Sequence, residues 1–119
     1  MSHELFQVCI DTCNDCVSAC EECATSCSNE GDGKQAECIE LNRYCADMCG
    51  TAASFLARLD KHTIGFVSKF CSLCAEICNA CATECEKHPG MEHCRTCAEA
   101  CRRCAVECIK MTKSTPVLN

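Results

Sequence analysis

Nineteen of the 119 residues are cysteine, and they fall in four regular runs. The first is Cys9, Cys13, Cys16, Cys20, Cys23 and Cys27; the second is Cys38, Cys45 and Cys49. The third is Cys71, Cys74, Cys78, Cys81 and Cys85, and the fourth is Cys94, Cys97, Cys101, Cys104 and Cys108. Thiols at this density support ligation of soft metals, disulfide exchange or nucleophilic catalysis. Catalysis needs one activated thiol beside a positioned base, whereas nineteen equivalent thiols argue for capacity, so no enzyme is expected. An odd number of cysteines cannot pair fully within one chain, and pairs three residues apart on a helix fit disulfide geometry poorly. A thiol/disulfide redox reservoir stands as an alternative, and metal binding is the main expectation.

Softness and charge choose among metals. Thiolates suit Cu(I), Zn(II) and iron–sulfur clusters. The ferredoxin spacing C-x₂-C-x₂-C-x₃-C-P does not occur. Four zinc ions in separate Cys₄ sites would leave about −8 buried, and unpaired buried charge costs several kcal/mol per ion. About one Cu(I) per thiolate brings the buried total near zero, and Cu(I) accepts two or three sulfurs. Multiple Cu(I) ions per chain are therefore expected, with a zinc-buffering thiolate protein as the other alternative.

The elements that must hold these thiols follow from the same spacing. Alternating steps of three and four average 3.5 residues, the seam of helices that wrap left-handedly around one another. The second run keeps that step through Cys38, Asn42, Cys45, Cys49, Ala52, Leu56 and Leu59. A strand would need a period of two. Charged residues such as Asp11, Glu21, Glu40, Glu76, Glu84, Glu99 and Arg103 lie between the cysteines and read as a solvated exterior. Breaks are expected at Asn29–Gly33, around Asp60–Thr63 with Thr63 as an N-cap, and at His88-Pro89-Gly90. The predicted helices span about 3–28, 35–59, 63–87 and 91–111, with a frayed tail over 112–119. The expected fold is all-α, a single antiparallel up-down-up-down four-helix bundle over 1–119 with a cysteine-lined core. Cysteine is much smaller than leucine, so facing cysteine layers must leave voids or draw the helices unusually close. Metal is expected to occupy that space.

The two ends of such a bundle differ. One gathers Phe6, Leu56, Leu59, Ile64, Val67 and Met111, an apolar plug. The other gathers Cys27, Glu30, Cys38, Cys85, His88 and Cys94, with Met91 and His93 beside them. Soft and borderline ligands cluster there, so His88, Met91 and His93 are candidate ligands or relays at a metal entrance. Asn42 replaces a cysteine in its seam and is expected to hydrogen-bond a neighbouring sulfur.

The formal charge of −6 and the isoelectric point near 5.1 disfavour nucleic acid and acidic membranes as partners. No stretch approaches the roughly 20 apolar residues of a membrane span. The N-terminus lacks a basic n-region and an apolar h-region, so a chain beginning at Met1 is expected to remain in the cytoplasm, where thiols stay reduced.

The four cysteine runs, with Cys45-Ala-Asp-Met-Cys49, Cys71-Ser-Leu-Cys74-Ala-Glu-Ile-Cys78 and Cys97-Ala-Glu-Ala-Cys101 within them, closely resemble the bacterial four-helix-bundle copper storage proteins, in particular their cytosolic branch. The resemblance covers about residues 5 to 110. It implies Cu(I) storage by core thiolates, metal entrance through a His/Met mouth, and a homotetramer of bundles. The exported branch carries a twin-arginine signal, which is not seen here.

Overall fold

A computed structural model describes residues 2–30 and 33–113. It contains four long helices, α1 (Ser2–Glu30), α2 (Ala36–Ala57), α3 (Val67–Cys85) and α4 (Glu92–Lys113), and a one-turn 3₁₀ segment, Ile64–Phe66, that leads into α3. Each helix packs on its two neighbours, α1 on α2 and α4, and α3 on α2 and α4, so the four form a square antiparallel bundle about 52 × 18 × 18 Å. All nineteen cysteines face inward and are buried. Alanines at 46, 52, 53, 75, 82, 98 and 105 flank them and are buried too. Their small side chains let the backbones approach closely enough for sulfur to meet sulfur.

Boundaries depart from the sequence reading for local reasons. Helix α1 runs through Asn29 and Glu30 before Gly33 turns the chain at φ +75°, a conformation that favours glycine. The intervening Gly31 and Asp32 lie outside the described residues. Thr63 does not cap α3. It precedes the 3₁₀ turn, and Asp60 Oδ1 takes the capping role by accepting from the backbone N–H of His62 (2.8 Å) and Thr63 (3.1 Å). Thr112 and Lys113, expected in the tail, extend α4 because their backbone continues the helix and Thr112 Oγ1 donates to the Ile109 carbonyl. The tail from 114 onward lies outside the described residues. At His88-Pro89-Gly90 the expected turn forms, closed by Met91 N–H on the His88 carbonyl (3.1 Å).

The ends segregate as expected. Phe6, Leu56, Val67 and Met111 are buried at one end, with Leu59 and Ile64 packed against them. Phe55 stacks on Phe70 outside the sulfur column, ring centroids 4.7 Å apart. The expectation about membrane spans needs one correction. Ile64–Cys85 is 22 residues long and contains an 18-residue window of mean hydropathy 1.3. The apolar character comes from Phe70, Leu73 and Ile77 as well as from the seam cysteines, and 33% of the window is buried inside the bundle.

Candidate metal centre

The sulfur column is continuous through the middle of the bundle. Cys13, Cys16, Cys20, Cys45, Cys49, Cys74, Cys78, Cys97, Cys101 and Cys104 form one network with neighbouring Sγ atoms 3.5–3.9 Å apart. All four helices contribute. Cys9 meets Cys108 (3.8 Å) at the apolar end. Neighbouring sulfur atoms from facing helices are thus in van der Waals contact along the column. Donor atoms fall into overlapping sets of four within 4.8 Å of one another, such as Cys13, Cys74, Cys104 and Cys108, or Cys20, Cys81, Cys97 and Cys101.

Asn42 is fully buried and binds sulfur as expected. Its Oδ1 accepts from Cys81 (3.1 Å), Cys97 (3.2 Å) and Cys85 (3.7 Å), and its Nδ2 donates to Cys38 Sγ (3.7 Å). The amide thus joins the central network to the Cys38–Cys85 pair (3.6 Å) at the mouth.

At the mouth, Cys27 and Cys94 are 3.9 Å apart and Cys23 and Cys94 are 3.8 Å apart. The structure brings His93 to them, with Nε2 3.4 Å from Cys27 Sγ; Cys23, Cys27, His93 and Cys94 make one four-donor set. Met91 Sδ lies 4.0 Å from Cys94 Sγ. His88 is held differently. Its Nε2 is buried without a hydrogen-bond partner among the described residues and sits 3.5 Å from Glu84 Oε2. Burial, with the negative charge of Cys23, pushes the Cys27 thiol from 9.0 up to about 11. Burial and the charges of Cys23, Cys38 and Cys27 push Cys94 up as well. In the core, Cys104 donates to Cys13 Sγ (3.6 Å) and pulls the Cys13 thiol down.

Two residues beside the site escaped the sequence reading. Glu84 belonged to the expected solvated face but is only 7% exposed, turned between Lys87 (3.1 Å) and His88. Its step of three from Cys81 was the available signal. Gln35, 3% exposed, lies just before α2 and donates to Met91 Sδ at 3.7 Å. Its step of three before Cys38 continues the seam of the second run and was the available signal.

The copper storage protein family model (Csp) matches residues 2–113. This chain belongs to the Csp family. A solved relative, a cytosolic copper storage protein from Streptomyces lividans with five coppers, is 36% identical and superposes with a TM-score of 0.91, over 95% of this chain and 96% of that one. The Cu(I)-bound copper storage protein BsCsp3 is 40% identical with a TM-score of 0.82, over 91% and 98%. An uncharacterised cysteine-rich protein of Bacillus subtilis, YhjQ, is 45% identical over 51 residues, 43% of this chain and 44% of that relative's length. The Csp relationship therefore spans the whole bundle and includes relatives with copper in place.

Proposed function

We propose that this Csp chain is a cytoplasmic, non-catalytic store that binds many Cu(I) ions on its nineteen core cysteines. The observation that carries the reading is the unbroken central column of sulfur atoms, contributed by four helices and shielded from solvent. A column of this kind supplies two or three thiolates at each step, which suits a soft d¹⁰ ion with little geometric demand. Cu(I) displaces thiol protons, so loading releases protons and weakens in acid. His88, Met91 and His93 form the entrance. In support, His93 Nε2 and Met91 Sδ stand beside Cys27 and Cys94, and the His88 Nε2 is buried 3.5 Å from Glu84 Oε2 with no hydrogen bond among the described residues. The bundle is a protomer of a homotetramer, and the exposed apolar side chains Phe66, Leu73 and Val106 are surfaces that assembly would cover.

An anaerobic titration of the reduced protein with Cu(I) against a chromophoric chelator tests storage. Uptake approaching one ion per thiol is expected. Saturation at one or two ions would overturn it. Zinc is the rival that the sets of four thiols favour, since tetrahedral Zn(II) takes four sulfurs. A parallel Zn(II) titration decides, and zinc displacing Cu(I) would reverse the assignment. For the entrance, His88→Ala with His93→Ala should slow loading and leave final capacity unchanged; equal rates would reject it. Sedimentation should give four times the 13.0 kDa chain mass, and a persistent monomer would reject the tetramer.

A further inference from the structure

The donor atoms that would meet copper first are already engaged. His93 Nε2 is 3.0 Å from Glu30 Oε1 as well as 3.4 Å from Cys27 Sγ. In the tautomer that carries its proton on Nε2, the carboxylate beside it favours keeping the proton there, and that atom then has no lone pair for a metal. Met91 Sδ accepts from Gln35 Nε2 at 3.7 Å, and Cys94 Sγ approaches the same sulfur at 4.0 Å. Glu30 is the last residue of α1 and Gln35 stands immediately before α2, while Met91 stands immediately before α4 and His93 is in its first turn. Two side-chain contacts therefore span the mouth from the α1–α2 end to the start of α4, each on a ligating atom. Gln35 is buried, its Oε1 has no hydrogen-bond partner among the described residues, and its Nε2 donates to the Met91 sulfur.

We propose that Glu30 and Gln35 form a clamp that closes the copper-free mouth by occupying His93 Nε2 and Met91 Sδ, and that capture of the first Cu(I) exchanges these contacts for metal bonds, the Nε2 proton passing to the partly exposed Glu30 carboxylate and from there to solvent. The inference rests on the reading of this end as the Cu(I) entrance. Glu30 and Gln35 are positioning residues: they set how readily the two donors are released, and they leave the number of storage thiols untouched. In the carboxylate–histidine pairs that support a bound metal, the carboxylate holds the nitrogen away from the metal. Here it holds the nitrogen that faces the thiol, so its removal should speed capture.

Stopped-flow loading of the reduced full-length protein from a Cu(I)–chelator complex tests this, with final capacity measured on the same samples. Glu30→Ala and Gln35→Leu should each accelerate the first phase by about three- to tenfold, the range of one hydrogen bond, at unchanged capacity. Glu30→Gln keeps an acceptor oxygen and should stay closer to the parent than Glu30→Ala. In a His93→Ala background, Glu30→Ala should have no further effect. Rates that are unchanged or lower in Glu30→Ala and Gln35→Leu would overturn the clamp, as would an equal acceleration by Glu30→Ala with His93 absent. Unaltered loading in His93→Ala and Met91→Leu would instead reject the entrance itself, and the clamp with it.

Discussion

Among single residues, Asn42 has the sharpest consequences. It is the one seam position of the cysteine runs where an amide replaces sulfur, and its oxygen serves three thiols. Asn42→Ala removes that acceptor and leaves buried donors unpaired, so the reduced, metal-free protein should lose about 1–3 kcal/mol, read from anaerobic urea unfolding. Cys27 makes a second prediction. Its thiol rises from 9.0 to about 11 in the folded chain. A thiol that holds its proton more tightly when folded contributes stability below pH 9, and that contribution is lost as pH climbs through 11. The metal-free melting temperature should therefore fall across that window, and Cys27→Ala should blunt the fall. At this scale the sequence was informative wherever a residue kept the helical step, as all nineteen cysteines do. Glu84 and Gln35 also keep a step of three from a seam cysteine, Cys81 and Cys38, but a carboxylate and an amide near helix ends read as solvated, and only the partners they meet in the bundle show their burial.

Helices and their connections respond to different substitutions. Gly33 has φ +75°, and no neighbouring atom lies within 4 Å of the place a methyl group would take. Gly33→Ala should therefore destabilise by about 1–2 kcal/mol through the backbone alone. Gly50 lies within α2, and an added Cβ would meet only Val17 Cγ2 at 3.8 Å. Gly50→Ala should stabilise by about 0.5–1 kcal/mol. Opposite shifts in melting temperature for the two variants would check both assignments. The number, order and inward faces of the helices were legible from steps of three and four. Their ends were not, because the start of α3 depends on the 3₁₀ turn that Asp60 organises, and α4 outlasts its last cysteine by five residues. Outside the core, Arg102 ties α4 to α3 through Glu86 (2.7 Å) and Asn79 (3.0 Å), a cross-helix contact that sequence spacing leaves open.

Taken whole, the bundle is a scaffold for sulfur with few conventional core side chains, so bound metal should dominate its stability. A ligand that binds only the folded state raises stability with its concentration over its dissociation constant, by about 4 kcal/mol at a thousandfold excess. Cu(I) should raise the melting temperature steeply under anaerobic conditions, and an unchanged transition would argue against a preformed array. The apolar plug of Phe6, Leu56, Val67 and Met111 has a further effect on order. If the proposed mouth is the way in and out, the bundle would behave as a stack open at the top: ions near Cys9, Cys71 and Cys108 would leave after those above them. Protein filled first with one copper isotope and topped up with another should surrender the second isotope first to a chelator, so that one chain holds a fast-turnover and a slow-turnover pool of the same metal.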